Sequence, residues 1–317
     1  MVMDYITLKL DEINFLEKRV ACIGFFDGLH LGHQRLIEKT NQLAKETGCK
    51  SSLITFSPDP WEVIKKMDHI EHLTPLNKRV ELAKKMGIDE VIVVNFTESV
   101  SQLSSESFVK EILIPCNLET LICGFDYHYG FRGQGDSESL QKEAEGTFDV
   151  IIVESINQEN KKISTTRICE CLENGDITEA NQLLGRMYEV EGIVISGNQK
   201  GREIGFPTAN IQLNDSFLLP HPGVYCGKIK LDDTLYIAMI NIGHNPTMNL
   251  QTKLSLEVHI LNFDQSVYGK KISLFFDKFL RYEEKFPTLQ ELISQLEADR
   301  KNIETHYQGG QNETRIV

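Results

Sequence analysis

Two histidines, an aspartate and three glycines fall within ten consecutive residues, Gly24–His33. An apolar stretch precedes them and a helical pattern follows, so the glycines allow a tight turn and the helix start offers unpaired N–H groups to an anion. His30 and His33 are three residues apart and can face one ligand. Imidazole groups there can hydrogen-bond to phosphate oxygens and stabilise charge during attack on phosphorus. The pattern predicts a polyphosphate site; the alternatives are a glycine turn with two surface histidines, and a zinc pair that lacks a third ligand.

A second candidate loop, GREIGFPTAN, covers Gly201–Asn210. Its glycines, Gly201 and Gly205, allow the backbone to approach phosphate closely. Thr208 and Asn210 alternate, so in an extended chain both side chains face the same side. A hydroxyl and an amide oxygen are hard ligands suited to Mg²⁺ beside phosphates. The loop lacks the GK[ST] end of a Walker A motif, and a glycine-proline turn leading into a strand is the alternative.

A single carboxylate, Glu257, interrupts the apolar strand pattern LSLEVHIL. It could accept a proton as a general base. Because side chains alternate along a strand, the residues alone favour a surface-facing glutamate instead.

The elements that must position these residues change character part-way along the chain. The first half alternates apolar strands with helical patterns, which predicts a doubly wound parallel α/β sheet that binds ligands at the carboxyl ends of its strands. From about Tyr188, strand-like runs are separated by turn residues and followed by one helix, which predicts a small antiparallel β-barrel with a terminal helix. We expect two domains, residues 1–186 and 187–309, and a flexible tail, residues 310–317.

Composition supports this organisation. The 317 residues are enough for two domains, and 41% hydrophobic and 25% charged residues are ordinary for a folded soluble protein. A net charge of −13 opposes binding to nucleic acid, and no apolar run or leader pattern predicts a membrane partner or export. Seven cysteines without a CxxC favour reduced thiols over a disulfide framework or zinc ribbon. We therefore expect a cytoplasmic location.

The first loop, GFFDGLHLGH, resembles the GxFDGxHxGH motif of the bacterial riboflavin kinase/FAD synthetase family, whose N-terminal module is an HxGH nucleotidyltransferase. Further first-half segments resemble the family in order: TFSPDP, CGFDYHYG with a following GD, ISTTRIC and ENGDITEANQLLGRMY. The second loop matches the riboflavin kinase signature GxxxGFPTAN at every fixed position. Four later segments also resemble that module: PGVY, NIGHNPT, LEVHILNFDQSVYG and FLRYEEKF.

For the first half, the resemblance implies transfer of AMP from ATP to FMN, which gives FAD and pyrophosphate. It implies that His30 and His33 hold the ATP phosphates, with Gly24, Phe26, Asp27 and Gly28 beside them. The resemblance further implies that Ser164 and Thr165 contact phosphates and that Asp126 lies near the flavin or the nucleotide.

Two positions depart from the family pattern. Asp59 stands where the second motif has histidine, and Cys169 stands where ISSTxIR ends in arginine. A cysteine cannot replace the planar, positively charged guanidinium group that is expected to bind the triphosphate. Arg167 should point to a different helix face, and Lys161 and Lys162 are possible substitutes. We expect adenylyl transfer to persist but to be weakened.

For the second half, the resemblance implies transfer of the ATP γ-phosphoryl group to the 5′-hydroxyl of riboflavin. Glu257 then becomes the proposed base, and Thr208 and Asn210 would hold Mg²⁺ and the ATP phosphates. Arg281 and Glu283 would lie at the flavin or nucleotide. Riboflavin, FMN and ATP are thus the expected small-molecule substrates. The alternatives are a riboflavin kinase with a weakened or inactive first domain, and a non-enzymatic flavin-sensing regulator.

Overall fold

A computed structural model describes residues 5–8, 15, 17–196, 200–244 and 254–308. The chain divides into two compact units, Met1–Thr165 and Thr166–Val317. The predicted tail, residues 310–317, and residues 245–247 of the NIGHNPT segment lie outside the described residues.

The first unit contains a six-stranded sheet in which every neighbouring pair is parallel. Its strands are β1 (Ile6–Leu8), β2 (Arg19–Ile23), β3 (Lys50–Ser57), β4 (Glu90–Asn95), β5 (Leu118–Gly124) and β6 (Asp149–Val153). The order is β1-β4-β3-β2-β5-β6. Strands β2 to β4 are almost continuously buried, as expected for a parallel sheet covered on both faces. The three-residue edge strand β1 was not predicted from the sequence.

Among the described residues of this unit, six α-helices lie between the strands of the sheet. They are α1 (Leu31–Thr47), α2 (Pro60–Lys65), α3 (Leu76–Lys85), α4 (Glu98–Ser101), α5 (Ser105–Phe108) and α6 (Ser137–Glu143). The predicted helical stretch SSESFVKEILIPC is only partly α-helical: α5 continues into a π-helical turn, Val109–Leu113, and a 3₁₀ turn, Ile114–Cys116. A short hairpin of β7 (Asn157–Gln158) and β8 (Lys161–Lys162) follows β6.

The second predicted helical stretch, TTRICECLENGDITEANQLLG, forms two helices. Helix α7 (Thr165–Glu173) ends before Gly175, whose φ is 79°, and Asp176 then caps α8 (Ile177–Leu184). Helix α8 packs on the barrel of the second unit, where the Asn181 amide donates a hydrogen bond to the Phe276 carbonyl at 2.8 Å. None of the helices in the described ranges combines the length and apolar character needed to cross a bilayer.

The second unit is a closed barrel with the order β10-β13-β12-β11-β14-β9, and all its pairs are antiparallel. Its strands are β9 (Tyr188–Ile195), β10 (Ala209–Leu213), β11 (Gly223–Leu231), β12 (Thr234–His244), β13 (Leu254–Ile260) and β14 (Lys271–Arg281). A four-residue helix, α9 (Lys200–Glu203), lies in the second candidate loop, and α10 (Leu289–Gln308) ends the unit.

The predicted α/β sheet and antiparallel barrel with a terminal helix are both confirmed. Strand alternation gives the barrel two distinct faces. The register partners Tyr225, Ile240 and Val258 are all fully buried, and this row belongs to the core. The adjacent row includes Cys226 and Met239, which cluster with α10.

Candidate active sites

The first candidate loop joins β2 to α1 through a tight turn. Phe26, Gly28 and Leu29 have φ values of 60°, 81° and 41°. Left-handed backbone is costly for phenylalanine and leucine and persists only where the surroundings hold it. Both side chains are almost completely buried, so packing stabilises the turn.

The turn brings the two predicted histidines together. His30 caps α1, and its Nδ1 accepts a hydrogen bond from the His33 backbone N–H at 3.3 Å. The two rings stack with centroids 3.7 Å apart and an interplanar angle of 15°. Because Nδ1 of His30 is an acceptor, a neutral imidazole carries its proton on Nε2, where it can serve as a donor.

Asp27 anchors this turn to distant segments of the first unit. Its carboxylate accepts hydrogen bonds from the Thr74 N–H at 2.7 Å, the Leu73 N–H at 3.1 Å and the Thr74 hydroxyl at 3.1 Å. Its backbone carbonyl accepts from the Thr165 hydroxyl at 3.0 Å, and the Thr74 hydroxyl accepts from the Gly28 N–H at 2.7 Å. The Asp27 carboxylate therefore holds the shape of the turn, and Thr165, next to the half-buried Ser164, adjoins it.

A buried charged cluster lies behind the turn and includes Asp59, one of the two departures from the family pattern. Asp59 caps α2, and its carboxylate is 3.8 Å from His72 Nδ1, which is itself 3.9 Å from Asp27. Burial lowers the pKa of Arg79, while Asp27 and Asp59 act in the opposite direction. The aspartate at position 59 thus belongs to a network of opposite charges.

A cavity of about 280 Å³ opens at the carboxyl ends of β2, β3 and β5. The chain runs from β2 outwards through β3 and β4, then returns to build β5 and β6 on the other side, and such reversals of strand order form ligand crevices. Of the predicted site residues, Gly24, Phe26, His33 and Asp126 line this cavity. Asp126 forms an ion pair with Lys162.

In the barrel, the predicted base lies within a row of register partners that crosses four strands. The row runs Val224, Asn241, Glu257 and Asn210 on β11, β12, β13 and β10. Directly opposite residues of antiparallel strands project from the same face. Glu257 therefore stands between two amide side chains, and its neighbours Leu256 and Val258 are buried on the other face.

The second candidate loop closes tightly on itself before β10. The Phe206 N–H donates to the Gly201 carbonyl at 2.8 Å, and a Cβ on Gly201 would lie 2.2 Å from the Phe206 carbonyl oxygen. Gly205 has a φ of 83°, which favours glycine. His259 donates from Nδ1 to the Pro207 carbonyl at 2.9 Å and so supports the residue before Thr208.

A cavity of about 940 Å³ brings most of the predicted residues of the second unit together. Gly201, Thr208, Glu257, Arg281 and Glu283 all line it. Its apolar wall is formed by residues from α10 and the segment before it, namely Phe286, Leu289, Leu292 and Leu296. Thr208 also lines a smaller cavity of about 260 Å³, together with Arg202, Phe263 and Tyr268. Asn210 lies on the row of Glu257 but does not line either cavity.

Arg281 and Glu283 are each held by specific contacts. Arg281 donates from Nε to the buried Asp299 carboxylate at 2.9 Å, and Gln295 donates to the other oxygen of that carboxylate at 2.9 Å. The Glu283 carboxylate lies over Gly243, because a Cβ on that glycine would be 2.3 Å from Glu283 Oε1. Arg281 therefore joins the cavity to α10, and Gly243 leaves the space that Glu283 fills.

Comparison with known proteins relates both sites to one family. A family model described as FAD synthetase matches residues 12–167, and one described as riboflavin kinase matches residues 184–307. The chain is 40% identical over 301 residues to the bifunctional riboflavin kinase/FMN adenylyltransferase of Listeria monocytogenes, which covers 95% of this chain and 96% of that protein. The chain belongs to the bifunctional riboflavin kinase/FMN adenylyltransferase family. The family predicted from the motifs is confirmed.

Two further similarities extend over most of the chain. The Bacillus subtilis bifunctional riboflavin kinase/FMN adenylyltransferase is 37% identical over 287 residues and covers 90% of this chain and 91% of that protein. A crystal structure from Streptococcus pneumoniae, named a macrolide-efflux protein, superposes with a TM-score of 0.87 and 30% identity over 94% of this chain and 98% of that chain. Both domains of the family are present, so the predicted enzyme class is confirmed.

Two cavity residues of the riboflavin kinase module were not predicted as site residues. Asn241 opposes Glu257, and His259 supports the backbone before Thr208. Both fall within motifs that carried the family resemblance, NIGHNPT and LEVHILNFDQSVYG, and that position in the sequence was the available signal.

The basic side chains near Cys169 differ in their surroundings. Arg167 donates from Nε to Glu179 at 3.0 Å, and Lys162 pairs with Asp126. Lys161 is exposed, and Cys169 is half-buried.

Proposed function

We propose that residues 187–309 phosphorylate riboflavin to FMN and that residues 1–186 adenylylate FMN to FAD, with ATP as co-substrate of both reactions. The observation that carries the proposal is that Glu257, Asn241 and Thr208 line one cavity of about 940 Å³ that also has an apolar wall. Asn210 is the register partner of Glu257 on the next strand. Such a cavity suits a ligand with a large apolar ring and a polar chain.

In the kinase reaction, Glu257 accepts the proton of the riboflavin 5′-hydroxyl as its oxygen attacks the γ-phosphorus of ATP, and ADP leaves with the bond electrons. The apolar side chains of α10 bind the flavin ring. Arg281 and Glu283 contact the flavin at the same wall.

Thr208 and Asn210 are proposed to hold Mg²⁺ beside the ATP phosphates. The donor set fits a hard cation, because a hydroxyl and an amide oxygen come from alternate positions at the start of β10, and the Glu257 carboxylate opposes Asn210. When bound, the ion neutralises phosphate charge. Gly201 and Gly205 let the loop backbone approach those phosphates.

In the adenylyl transfer, a phosphate oxygen of FMN attacks the α-phosphorus of ATP and pyrophosphate leaves, so no covalent enzyme intermediate is needed. His30 and His33 donate hydrogen bonds to the phosphates, and the start of α1 adds N–H groups and a positive dipole end. Gly24, Phe26 and Gly28 shape the turn, Ser164 and Thr165 contact phosphates, and Asp126 lies toward the flavin.

The cysteine at position 169 supports weakened adenylyl transfer, because it cannot make the charged hydrogen bond to the triphosphate that is expected of the family's arginine. A hydrogen bond to a charged group contributes about 1.5–3 kcal/mol, which corresponds to roughly 10- to 100-fold in binding or rate. Arg167 is engaged by Glu179. A riboflavin kinase with an inactive first domain is therefore the second candidate function.

One chromatographic experiment separates the candidates. The purified chain is incubated with ATP, MgCl₂ and either riboflavin or FMN, and flavin products are resolved over time. FAD from both substrates supports the proposal, and FMN alone from riboflavin supports the kinase with an inactive first domain. No product from either substrate supports a flavin-sensing regulator, and excess EDTA should abolish both reactions if Mg²⁺ is required.

We also infer a cytoplasmic location and no nucleic-acid or membrane partner. The net charge of −13 and the small-molecule substrates of the family support this inference.

A further inference from the structure

Three side chains with different donor atoms meet where α10 ends on the barrel. They are Cys226 of β11, Asp277 of β14 and His306 of α10, and one potential ligand atom from each lies within 4.8 Å of the others. His306 Nε2 is 3.0 Å from Asp277 Oδ2. Within the described ranges this is the single group of three such donors. None of the three lines the cavities of the two proposed active sites.

These donors lie in a largely buried environment, in which the His306 imidazole offsets part of the desolvation of Asp277. Cys226 is fully buried and Asp277 is 6% exposed. A buried carboxylate beside a thiol requires positive charge or hydrogen bonds to offset its desolvation. A bound divalent cation would supply that charge and would deprotonate the thiol.

Tyr307, the residue after His306, packs against the cluster that contains Cys226. Its hydroxyl oxygen is buried and meets no hydrogen-bond partner at suitable geometry among the described residues. A water bound to a metal ion at these three donors would give this hydroxyl a partner.

We propose that Cys226, Asp277 and His306 form a Zn²⁺ site that fastens the last turn of α10 to the barrel. Thiolate sulfur, imidazole nitrogen and carboxylate oxygen are the three donor types that zinc binds, whereas Mg²⁺ and Ca²⁺ take oxygen ligands. Tetrahedral zinc with these ligands separates donor atoms by about 3.3–3.8 Å. The imidazole and carboxylate must therefore move apart by a few tenths of an ångström, and the sulfur must approach by at most about 1.5 Å.

The zinc site would stabilise the packing of α10, the helix that contributes to the apolar wall of the kinase cavity. Leu292 and Leu296, in the first half of α10, line that cavity, and His306 is two residues from the end of the same helix. Zinc that binds the folded barrel but not the unfolded chain stabilises the folded form.

Zinc retention by the full-length protein tests the proposal. The chain is stripped with a chelator, incubated with ZnCl₂, dialysed and analysed by metal mass spectrometry, and affinity is measured by competition with a chromophoric chelator. We expect one zinc per chain and a higher unfolding temperature. His306→Gln and Cys226→Ala should each lower the affinity by at least about tenfold, whereas His69→Gln, which removes an exposed imidazole, should not.

Cobalt gives a second measurement that does not depend on the variants. Co²⁺ added to the stripped wild-type chain should give a thiolate-to-cobalt charge-transfer band, and this band should be absent from any folded Cys226→Ala protein. Loss of zinc on dialysis, equal retention by all three variants, or a cobalt spectrum without the thiolate band would each overturn the proposal.

Discussion

Asn210 and Glu257 lie directly opposite each other on the antiparallel strands β10 and β13. This pairing places a potential metal ligand and a potential base on the same face of the barrel, one strand apart. Asn241 stands on the other side of Glu257, so the carboxylate has an amide neighbour on each side. The proposed riboflavin kinase site therefore depends on closure of the barrel through β10, a strand of only five residues.

Replacement of Glu257 tests its role as the base. Glu257→Gln keeps the size and the hydrogen-bonding shape of the side chain but removes its basicity. We expect FMN formation to fall by about 10²- to 10⁴-fold while ATP binding is retained. Turnover is measured by flavin chromatography and ATP binding by calorimetry. The control is Glu297→Gln on the exposed face of α10, and near-normal turnover of Glu257→Gln would remove Glu257 from this role.

The contact between Gly243 and Glu283 predicts a functional defect without loss of stability. A methyl group at position 243 would lie 2.3 Å from Glu283 Oε1, so the carboxylate must move within the cavity. Because the end of a flexible side chain moves at little cost, Gly243→Ala should raise the KM for riboflavin several-fold with an almost unchanged unfolding temperature.

A double-mutant cycle checks that cause. If displacement of Glu283 is responsible, Gly243→Ala should have no further effect in the Glu283→Ala background, and the coupling free energy should equal the effect of Gly243→Ala alone, about 1 kcal/mol for a several-fold change in KM. Additive effects of the two substitutions would contradict the explanation.

His30 has a structural and a chemical role that can be separated by substitution. Asparagine is a good N-cap, so His30→Asn should preserve α1 while it removes the imidazole N–H donor. We expect FAD formation to fall by about 10²- to 10³-fold, with FMN formation by the same protein as an internal control. His30→Ala should in addition lower the free energy of unfolding by about 1 kcal/mol. FAD formation by His30→Asn at close to the wild-type rate would contradict this role.

The site loops could be predicted from the sequence because their signals are local. Gly24–His33 is a strand end, a glycine turn and a helix start in ten residues, and Gly201–Asn210 is equally compact. Strand alternation also predicted the barrel. Short strands such as β1 and β10 give too few alternating positions for the pattern to stand out.

Contacts between distant segments could not be predicted in this way. The carboxylate of Asp27 is satisfied by Leu73 and Thr74, forty-six and forty-seven positions along the chain. Arg281 is held by Asp299 of α10, and the apolar cavity wall depends on how that helix packs. Such pairings are set by tertiary packing and leave no local periodicity.

The buried carboxylate of Asp27 predicts a stability defect in the first unit. Both carboxylate oxygens of Asp27 accept hydrogen bonds. In Asp27→Asn, an NH₂ group replaces one of these oxygens and cannot accept, so at least one buried donor loses its partner. We expect the unfolding free energy of that unit to fall by roughly 1–3 kcal/mol, measured by scanning calorimetry, and FAD formation to fall with it. The conservative Thr74→Ser variant keeps both donors of residue 74 and should change little. Unchanged stability of Asp27→Asn would show that these hydrogen bonds do not hold the turn.

His259 predicts how the stability of the barrel depends on pH. Burial lowers the pKa of His259, its hydrogen bond to the Pro207 carbonyl acts in the opposite direction, and Arg300 lowers it further. An unperturbed histidine titrates near pH 6.5. As the pH falls below that value, the unfolded chain takes up a proton that the native barrel does not, so stability falls with decreasing pH.

The variant His259→Gln isolates this contribution. Its amide can still donate to the Pro207 carbonyl but does not titrate. The unfolding temperature of the wild-type chain should therefore fall more between pH 7 and pH 5.5 than that of the variant, whereas both should change alike between pH 7 and pH 8. If acidification lowers the unfolding temperature of both proteins equally, His259 is protonated as readily in the native barrel as in the unfolded chain.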